Sequence, residues 1–521
     1  MTAASIVKLP TVKEEELIFR YGKNGFAIYG LPLPKENSIL GLLGRNGIGK
    51  TTAMELLTGK KKINFGKEDA TEKEIKKFFQ GSEFLKYFQK ADKTISYKPQ
   101  NLSSLAQDVK VHELLKKLGN ENKISELIKK LKIENILENK LNKISGGELQ
   151  KVAIIAASIK EAEVYFFDEP LAFLDIEERI RVSDFIRELS RGKIVIVIEH
   201  DLLIMDYLTE YTNIFFGQPG CFGLVSGIKS TRYGINSYLD GYLKEENIKI
   251  RDKPLNFNLT KHKNLTGRTI GTCPAFEKKY ENFMLKVKKG EIKENCVVGI
   301  LGKNGTGKTT FVKCLAGLEK VKEEGKSPEK PLNLDLKISY KPQYLHNVEE
   351  EKNIPIAAIM AKEKINKKIA STFNLENIYQ KSISQLSGGE LQRFSIARCL
   401  AKEADVYLLD EPSAYLDIEE RISVAKAIKE LMNEKQKTAF VVDHDLLLMS
   451  YVSDNIIVFS GEPGKIGETS ELLNLEEGIS LLLKQLDITL RKDKDTGRPK
   501  INDKDSVLDR EQKKNKEWVI F

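Results

Sequence analysis

The chain has 521 residues, which sets an expectation of two to four domains, each able to bury its own core. Its 84 Lys and Arg against 75 Asp and Glu give a formal charge of +9, which suits an RNA or phosphate-rich partner as well as a solvated lysine-rich surface. The longest apolar runs, such as 152–159, fall short of the roughly 18 residues that cross a bilayer, and the N-terminus lacks signal-peptide architecture, so a soluble cytoplasmic chain with no membrane partner is expected.

In chain order, an apolar segment at 38–43 runs into Gly44-Arg45-Asn46-Gly47-Ile48-Gly49-Lys50-Thr51-Thr52, and a helical pattern follows over 51–58. Strand, glycine-rich loop and helix in that order make a phosphate cradle. The glycines let successive N–H groups curl around phosphates, and the helix N-terminus adds its positive dipole. Lys50 is placed for the β- and γ-phosphates of ATP and Thr51 for Mg²⁺, with Asn46, Gly47, Gly49 and Thr52 completing the loop.

Thr71 and Glu74 then form a capping-box signal, with Ile75, Phe78 and Phe79 on one helical face. Gly81-Ser82 interrupts that pattern and Phe84, Tyr87 and Phe88 resume it, so two short amphipathic helices are expected. Gln100 closes a Tyr-Lys-Pro-Gln run, and Ser145-Gly146-Gly147-Glu148 opens another helix. The apolar run 164–167 ends in Asp168-Glu169, which reads as a parallel strand buried on both faces with its acids at the carboxyl end, where such sheets bind ligands. Asp168 suits a Mg²⁺–water contact and Glu169 the polarisation of an attacking water. The strand at 194–198 delivers His200 to the same edge as a γ-phosphate sensor.

All of this recurs. Strand 297–301 precedes Gly302-Lys303-Asn304-Gly305-Thr306-Gly307-Lys308-Thr309-Thr310, followed by Gln343, Ser387-Gly388-Gly389-Glu390, Asp410-Glu411 and His444. Glutamine and signature serine stand 45 residues apart in the first set and 44 in the second, serine and aspartate 23 in both, aspartate and histidine 32 and 34. A repeat of this length dictates two homologous domains. The expected fold is α/β, with two P-loop NTPase domains in one chain. Five cysteines without CxxC spacing argue against a disulfide framework or a zinc or iron–sulfur site.

The Leu-Ser-Gly-Gly-Glu run at 386–390, with Ile144 as its variant in the first set, resembles the signature of ABC ATPases. That resemblance implies two ABC-type nucleotide-binding domains arranged head to tail, the signature of each completing the other's ATP site. Lys50 would share a site with Ser387 and Gly389, and Lys308 with Ser145 and Gly147, because a serine and glycine N–H groups at an outward helix start serve a nucleotide held elsewhere. Gln100 and Gln343 would be Q-loop residues contributing to the Mg²⁺ sites, and Asp175 and Asp417 the D-loops. Adenine would stack on Tyr21 or Phe26 in the first half, and Tyr280 and Phe283 are looser matches in the second. Both halves being present, a monomer is expected.

Three features resemble subfamily E of that class, the ribosome-recycling factors also called RNase L inhibitors. The lysine-to-glutamine gap is 50 residues in the first cassette and 35 in the second, and the extra 15 resemble the subfamily's helix–loop–helix. Residues 234–242 and 246–251 resemble its first hinge, and 498–502 with 506–512 its second. The implied organisation is a first nucleotide-binding domain at 1–216 with an insertion at about 67–92, hinge 1 at 217–255, a second domain at 256–485 and hinge 2 at 486–521. The run 6–10 resembles the stretch just after the subfamily's iron–sulfur domain, and no cysteine precedes Cys221, so no iron–sulfur cluster is expected in the chain. The implied partners are the small ribosomal subunit, through rRNA and protein, a release factor or Pelota-type factor, and an initiation factor. The implied activity is ATP-driven ribosome recycling. An ATP-gated anti-association factor that does not split ribosomes is the alternative. A translational ABC-F ATPase or a transporter ATPase subunit fits the junction and insertion less well.

Overall fold

The computed structural model describes residues 14–68, 70–89, 94–255, 267–323, 329–343 and 351–519, apart from the side chains of Glu14, Lys86, Phe88 and Gln89. The run 6–10 and the ends of the insertion near 69 and 90–93 therefore lie outside the described residues. The chain divides into two compact units, Met1–Leu174 with Glu178–Asn256, and Phe257–Phe521 with Asp175–Glu177.

The first unit is built on a nine-stranded sheet among the described residues. Its centre is five parallel strands in the order Tyr211–Gln218, Ser38–Leu43, Ile194–Ile198, Val164–Asp168 and Ile95–Lys98. Ile194–Ile198 reads Ile-Val-Ile-Val-Ile and is buried throughout, as β-branched side chains packed on both faces require. Helices Lys50–Leu57 and Gly146–Ile159 follow the phosphate loop and the signature serine. Residues 217–255 continue this unit: strand Phe222–Val225 pairs with Tyr211–Gln218, and helix Thr231–Asp240 packs on that strand.

The insertion forms helices Glu72–Phe78 and Glu83–Gln89. Its capping box is complete: Glu74 N–H donates to Thr71 Oγ1 at 3.3 Å and Thr71 N–H to Glu74 Oε2 at 2.9 Å. The aromatic face differs in detail from the sequence pattern. Phe79 and Tyr87 enter the core, Tyr87 donating its hydroxyl to the Leu57 carbonyl at 3.0 Å, while Phe78 stays 40% exposed against Phe65. Two adjacent residues on one short helix cannot both face a core that curves beneath it, and the second one wins the place.

The second unit repeats the plan. Among the described residues its sheet has eleven strands and centres on Asn455–Glu462, Val297–Gly302, Thr438–Val442, Val406–Asp410 and Ile338–Lys341, again parallel. Its C-terminal part is a hairpin, Leu490–Lys492 with Pro499–Ile501, and helix Val507–Asn515. Composition alone reads that stretch as a charged, loose end. It is instead fastened by buried polar contacts: Thr489 Oγ1 donates to Asp509 Oδ1 at 2.6 Å, Asn502 Nδ2 to Thr489 Oγ1 at 2.8 Å, and Gln512 Nε2 to the Leu490 carbonyl at 2.9 Å.

A buried ion pair ties the helix after each histidine to the helix before it. Arg179 Nη1 lies 2.5 Å from Asp201 Oδ2, and Asp201 Oδ1 caps helix Leu202–Leu208 by accepting from the N–H groups of Leu203 and Ile204. Arg421 and Asp445 repeat the pair at 3.0 Å. Removing one partner strands a buried charge, so Asp201→Ala should lower the opening free energy of amides in Ile194–Ile198 by about 3 kcal/mol, measured by hydrogen exchange, and Arg179→Met added to it should recover part of the loss.

Candidate active sites

Each phosphate loop turns on left-handed glycines. Gly49 caps its helix with φ 100° and Gly307 with φ 95°. A Cβ at Gly49 would meet the Phe26 ring at 2.7 Å, and one at Gly307 the Phe283 ring at 2.9 Å. Phe26 and Phe283 are thus the floor beneath their loops. Lys50 Nζ donates to the carbonyls of Gly44 at 2.7 Å and Arg45 at 2.8 Å, and Lys308 Nζ to Gly302 at 2.8 Å and Lys303 at 2.7 Å. The ammonium groups are held inside the curl where phosphate oxygens would lie. Burial pulls Lys308 down to about 8, against the pull of nearby carboxylates.

The acidic pairs stand beside the loops at the carboxyl ends of their strands. Thr51 Oγ1 donates to Asp168 Oδ2 at 3.1 Å. Burial and the adjacent Glu169 charge push Asp168 up to about 6, and Asp410 behaves alike beside Glu411. Both Asp410 oxygens are buried without a well-formed hydrogen bond among the described residues, and the neighbouring Thr309 hydroxyl opposes the rise. A buried, donor-poor carboxylate beside a threonine hydroxyl fits a small hard cation. Thr51, Asp168 and Gln100, and Thr309, Asp410 and Gln343, are the residues that would hold Mg²⁺, which would supply charge neutralisation for a bound nucleotide's phosphates.

Glu169 and Glu411 take left-handed backbones, φ 45° and 48°. Gln100 Nε2 donates to Glu169 Oε1 at 2.7 Å, and His200 Nε2 lies 3.4 Å from the same oxygen. In the second unit His444 Nε2 lies 3.5 Å from Glu411 Oε1. Burial raises both glutamates, but His200, Gln100 and Lys50, and likewise His444, Gln343 and Lys308, override it and hold each near 2. The result in each unit is a carboxylate held well below its usual range beside one raised above it.

Ser145 and Ser387 cap the signature helices in complete capping boxes, their Oγ atoms accepting from Glu148 and Glu390 N–H at 3.3 Å. Gly147 and Gly389 lie in the first turns of those helices. Asp417 caps helix Ile418–Lys435, and Asp175 is buried just before helix Ile176–Leu189. Tyr21 is 40% exposed with its hydroxyl 3.3 Å from Thr52 Oγ1. Tyr280, 38% exposed, stands beside Thr310 in the second unit.

Two residues of the sites escaped sequence reasoning. Lys98 and Lys341 are each 1% exposed, with Nζ on the backbone carbonyls of the acidic pairs. The available signal was the identical run Ile-Ser-Tyr-Lys-Pro-Gln at 95–100 and 338–343. The sites also differ. Ser413 donates its N–H and hydroxyl to Asp443 at 3.0 and 2.8 Å, whereas Leu171 and Glu199 hold those positions in the first unit.

The family model described as ABC transporter matches residues 34–172 and 281–414. An ABC transporter ATP-binding protein of Methanocaldococcus jannaschii is 42% identical over 99% of this chain and 87% of its own length. A solved archaeal ribosome recycling factor, aABCE1, in complex with the ribosomal stalk protein aP1, is 41% identical, with TM-score 0.90 over 98% of this chain and 100% of that one. A model of ribosome-bound archaeal Pelota and ABCE1 gives 42% identity and TM-score 0.92 over 98% of this chain and 88% of that one. The chain belongs to subfamily E of the ABC ATPases. It is an ABC-type ATPase with two P-loop domains, the class that binds ATP with Mg²⁺. No helix among the described residues is long and apolar enough to cross a membrane.

Because the loop glycines combine left-handed backbones with a ring against their missing Cβ, Gly49→Ala and Gly307→Ala should each weaken ATP binding in their own unit by about 10- to 100-fold. Isothermal titration should show one of two sites lost in each variant and both lost in the double variant.

Proposed function

We propose that this chain is a twin-cassette ATPase that binds the small ribosomal subunit and acts in ribosome recycling in the cytoplasm, as a monomer. The observation that carries the reading is the near-full-length match, at 41% identity and TM-score 0.90, to a solved archaeal ribosome recycling factor. A release factor or Pelota-type factor, and an initiation factor, are the partners proposed with it. In support, the first unit alone carries the insertion, whose outer side offers Lys73, Lys76, Lys77 and Phe78 to solvent. Lysines with an exposed ring suit rRNA phosphates and an unstacked base.

The residue roles are part of this proposal. Lys50 and Lys308, with their loop amides, hold the nucleotide phosphates, and Tyr21 and Tyr280 lie beside the loop threonines where a base would stack. Glu169 and Glu411 orient and polarise the attacking water, each steadied by its glutamine, with its histidine as the γ-phosphate sensor. Ser145 and Ser387 serve the partner cassette's nucleotide, so ATP binding draws the cassettes closed and hydrolysis releases them. The segments 217–255 and 486–521 act as hinges in that cycle.

Glu169→Gln and Glu411→Gln should each slow single-turnover hydrolysis at the affected site on the order of 10²-fold while leaving ATP bound. The double variant with ATP should sediment with small subunits in a sucrose gradient, and the association should weaken steeply as salt rises. Undiminished turnover in the double variant would overturn the roles of the glutamates. Absence from the small-subunit peak at low salt would overturn the ribosomal reading.

A further inference from the structure

Each site rests on a buried ammonium that reaches none of the carboxylate oxygens. Lys98 ends the strand Ile95–Lys98, and its Nζ donates to the backbone carbonyls of Asp168 at 2.8 Å and Glu169 at 3.0 Å. Lys341 does the same from Ile338–Lys341, to Asp410 at 2.8 Å and Glu411 at 3.3 Å. Those carbonyls flank the residues at which the chain leaves the acidic strand in a left-handed conformation, φ 45° at Glu169 and 48° at Glu411. That backbone is strained for a glutamate, and surroundings must over-determine it for it to persist.

Burying an ammonium is itself costly unless it is well bonded. The cost is incurred twice, at equivalent places, on carbonyls of the residues whose side chains face the phosphate loop. One residue separates each lysine from its glutamine, and it is Pro99 or Pro342, whose fixed φ stiffens the turn. Lys98 therefore holds the backbone of Glu169 while Gln100, two residues on, holds its Oε1 at 2.7 Å. Backbone and carboxylate of one glutamate are gripped from a single strand end.

We propose that Lys98 and Lys341 are positioning residues for ATP hydrolysis: each pins the left-handed peptide of its glutamate so that the carboxylate is aimed at the attacking water, and each acts through that glutamate and not on the nucleotide. The inference rests on the ATPase reading of the glutamates given above.

The test is a double-mutant cycle on the full chain, with Glu411→Gln silencing the second site. Lys98→Met should lower the single-turnover rate about 10-fold or more. Its ATP dissociation constant should move less than about threefold, the pattern of a lost transition-state arrangement and not of lost binding. In a Glu169→Gln background the same substitution should have little further effect, because the group it positions is gone. Lys341→Met, tested with Glu169→Gln, should behave in the same way. Equal losses in rate and affinity, an unchanged rate, or a full additional loss in the Glu169→Gln background would each overturn the proposal. So would loss of the unfolding transition in both Lys98→Met and the milder Lys98→Gln, which would assign the lysine to the fold alone. If Glu169→Gln itself left hydrolysis intact, the ATPase reading of that residue would fail first, a result distinct from failure of the lysine.

Discussion

The register of neighbouring parallel strands is the constraint on which both sites depend. In the first unit Leu42 and Asp168 both pair with Ile198, and Lys98 pairs with Phe167. The exit into the phosphate loop, the acidic pair, the approach to His200 and the lysine that grips the acids are therefore level with one another. In the second unit Ile300 and Asp410 both pair with Val442. A slip of one residue would send Asp168 or Asp410 to the opposite face of the sheet and dismantle the site at once. The near-continuous Val, Ile, Leu and Phe of these strands do not define that register by alternation, since both faces are buried. It is set by the loops and caps at the strand ends, including the acid–threonine and lysine–carbonyl contacts of the site itself.

The same contacts explain how so much charge is tolerated out of water. Asp168, Lys50, Lys98 and His200 are all at most 6% exposed. Each isolated charge would be expensive there, but each has an opposite charge or a carbonyl within reach. In low dielectric these groups also act on one another strongly. His200, Gln100 and Lys50 hold Glu169 near 2 against its burial, while burial, aided by the Glu169 charge, lifts Asp168 to about 6. Stability and chemistry are not separable here, since the groups that neutralise the cluster are the ones that orient it.

Much of this was legible in the residues. The phosphate loops, the acidic strand ends, the capping box at Thr71 and the repeat itself depend on local spacing, and local spacing survives in a sequence. What was hidden depends on contacts between distant segments. Lysine is ordinarily an exposed residue, so only the repetition of the run at 95–100 and 338–343 set Lys98 apart, and nothing in that run tells of carbonyls 70 residues away. The C-terminal hairpin and helix looked loose because their cohesion comes from Thr489, Asn502, Asp509 and Gln512, polar residues that show no periodic pattern. The two aromatics Phe78 and Phe79 could be placed on a helix but not divided between core and solvent without the core beneath them.

Two copies in one chain also separate what the chemistry demands from what packing tolerates. Both units retain the left-handed glutamate, the lysine on its carbonyls, the buried histidine and the arginine–aspartate pair behind it. Within the loops, Ile48 and Thr306 are equally buried, one apolar and the other satisfied by donating to the Lys303 carbonyl at 2.8 Å, so that position needs filled volume and no particular group. Lys60 lies over the Tyr97 ring at 3.7 Å, while its counterpart Leu318 is exposed. Asp443 is braced by Ser413 where the first unit has Glu199 and Leu171. The strained and costly features are the shared ones, and the differences fall on groups one layer away. The two sites thus share their strained backbone and buried charges while the residues next to their histidines differ, Asp443 held by Ser413 in one unit and Glu199 with Leu171 at those positions in the other.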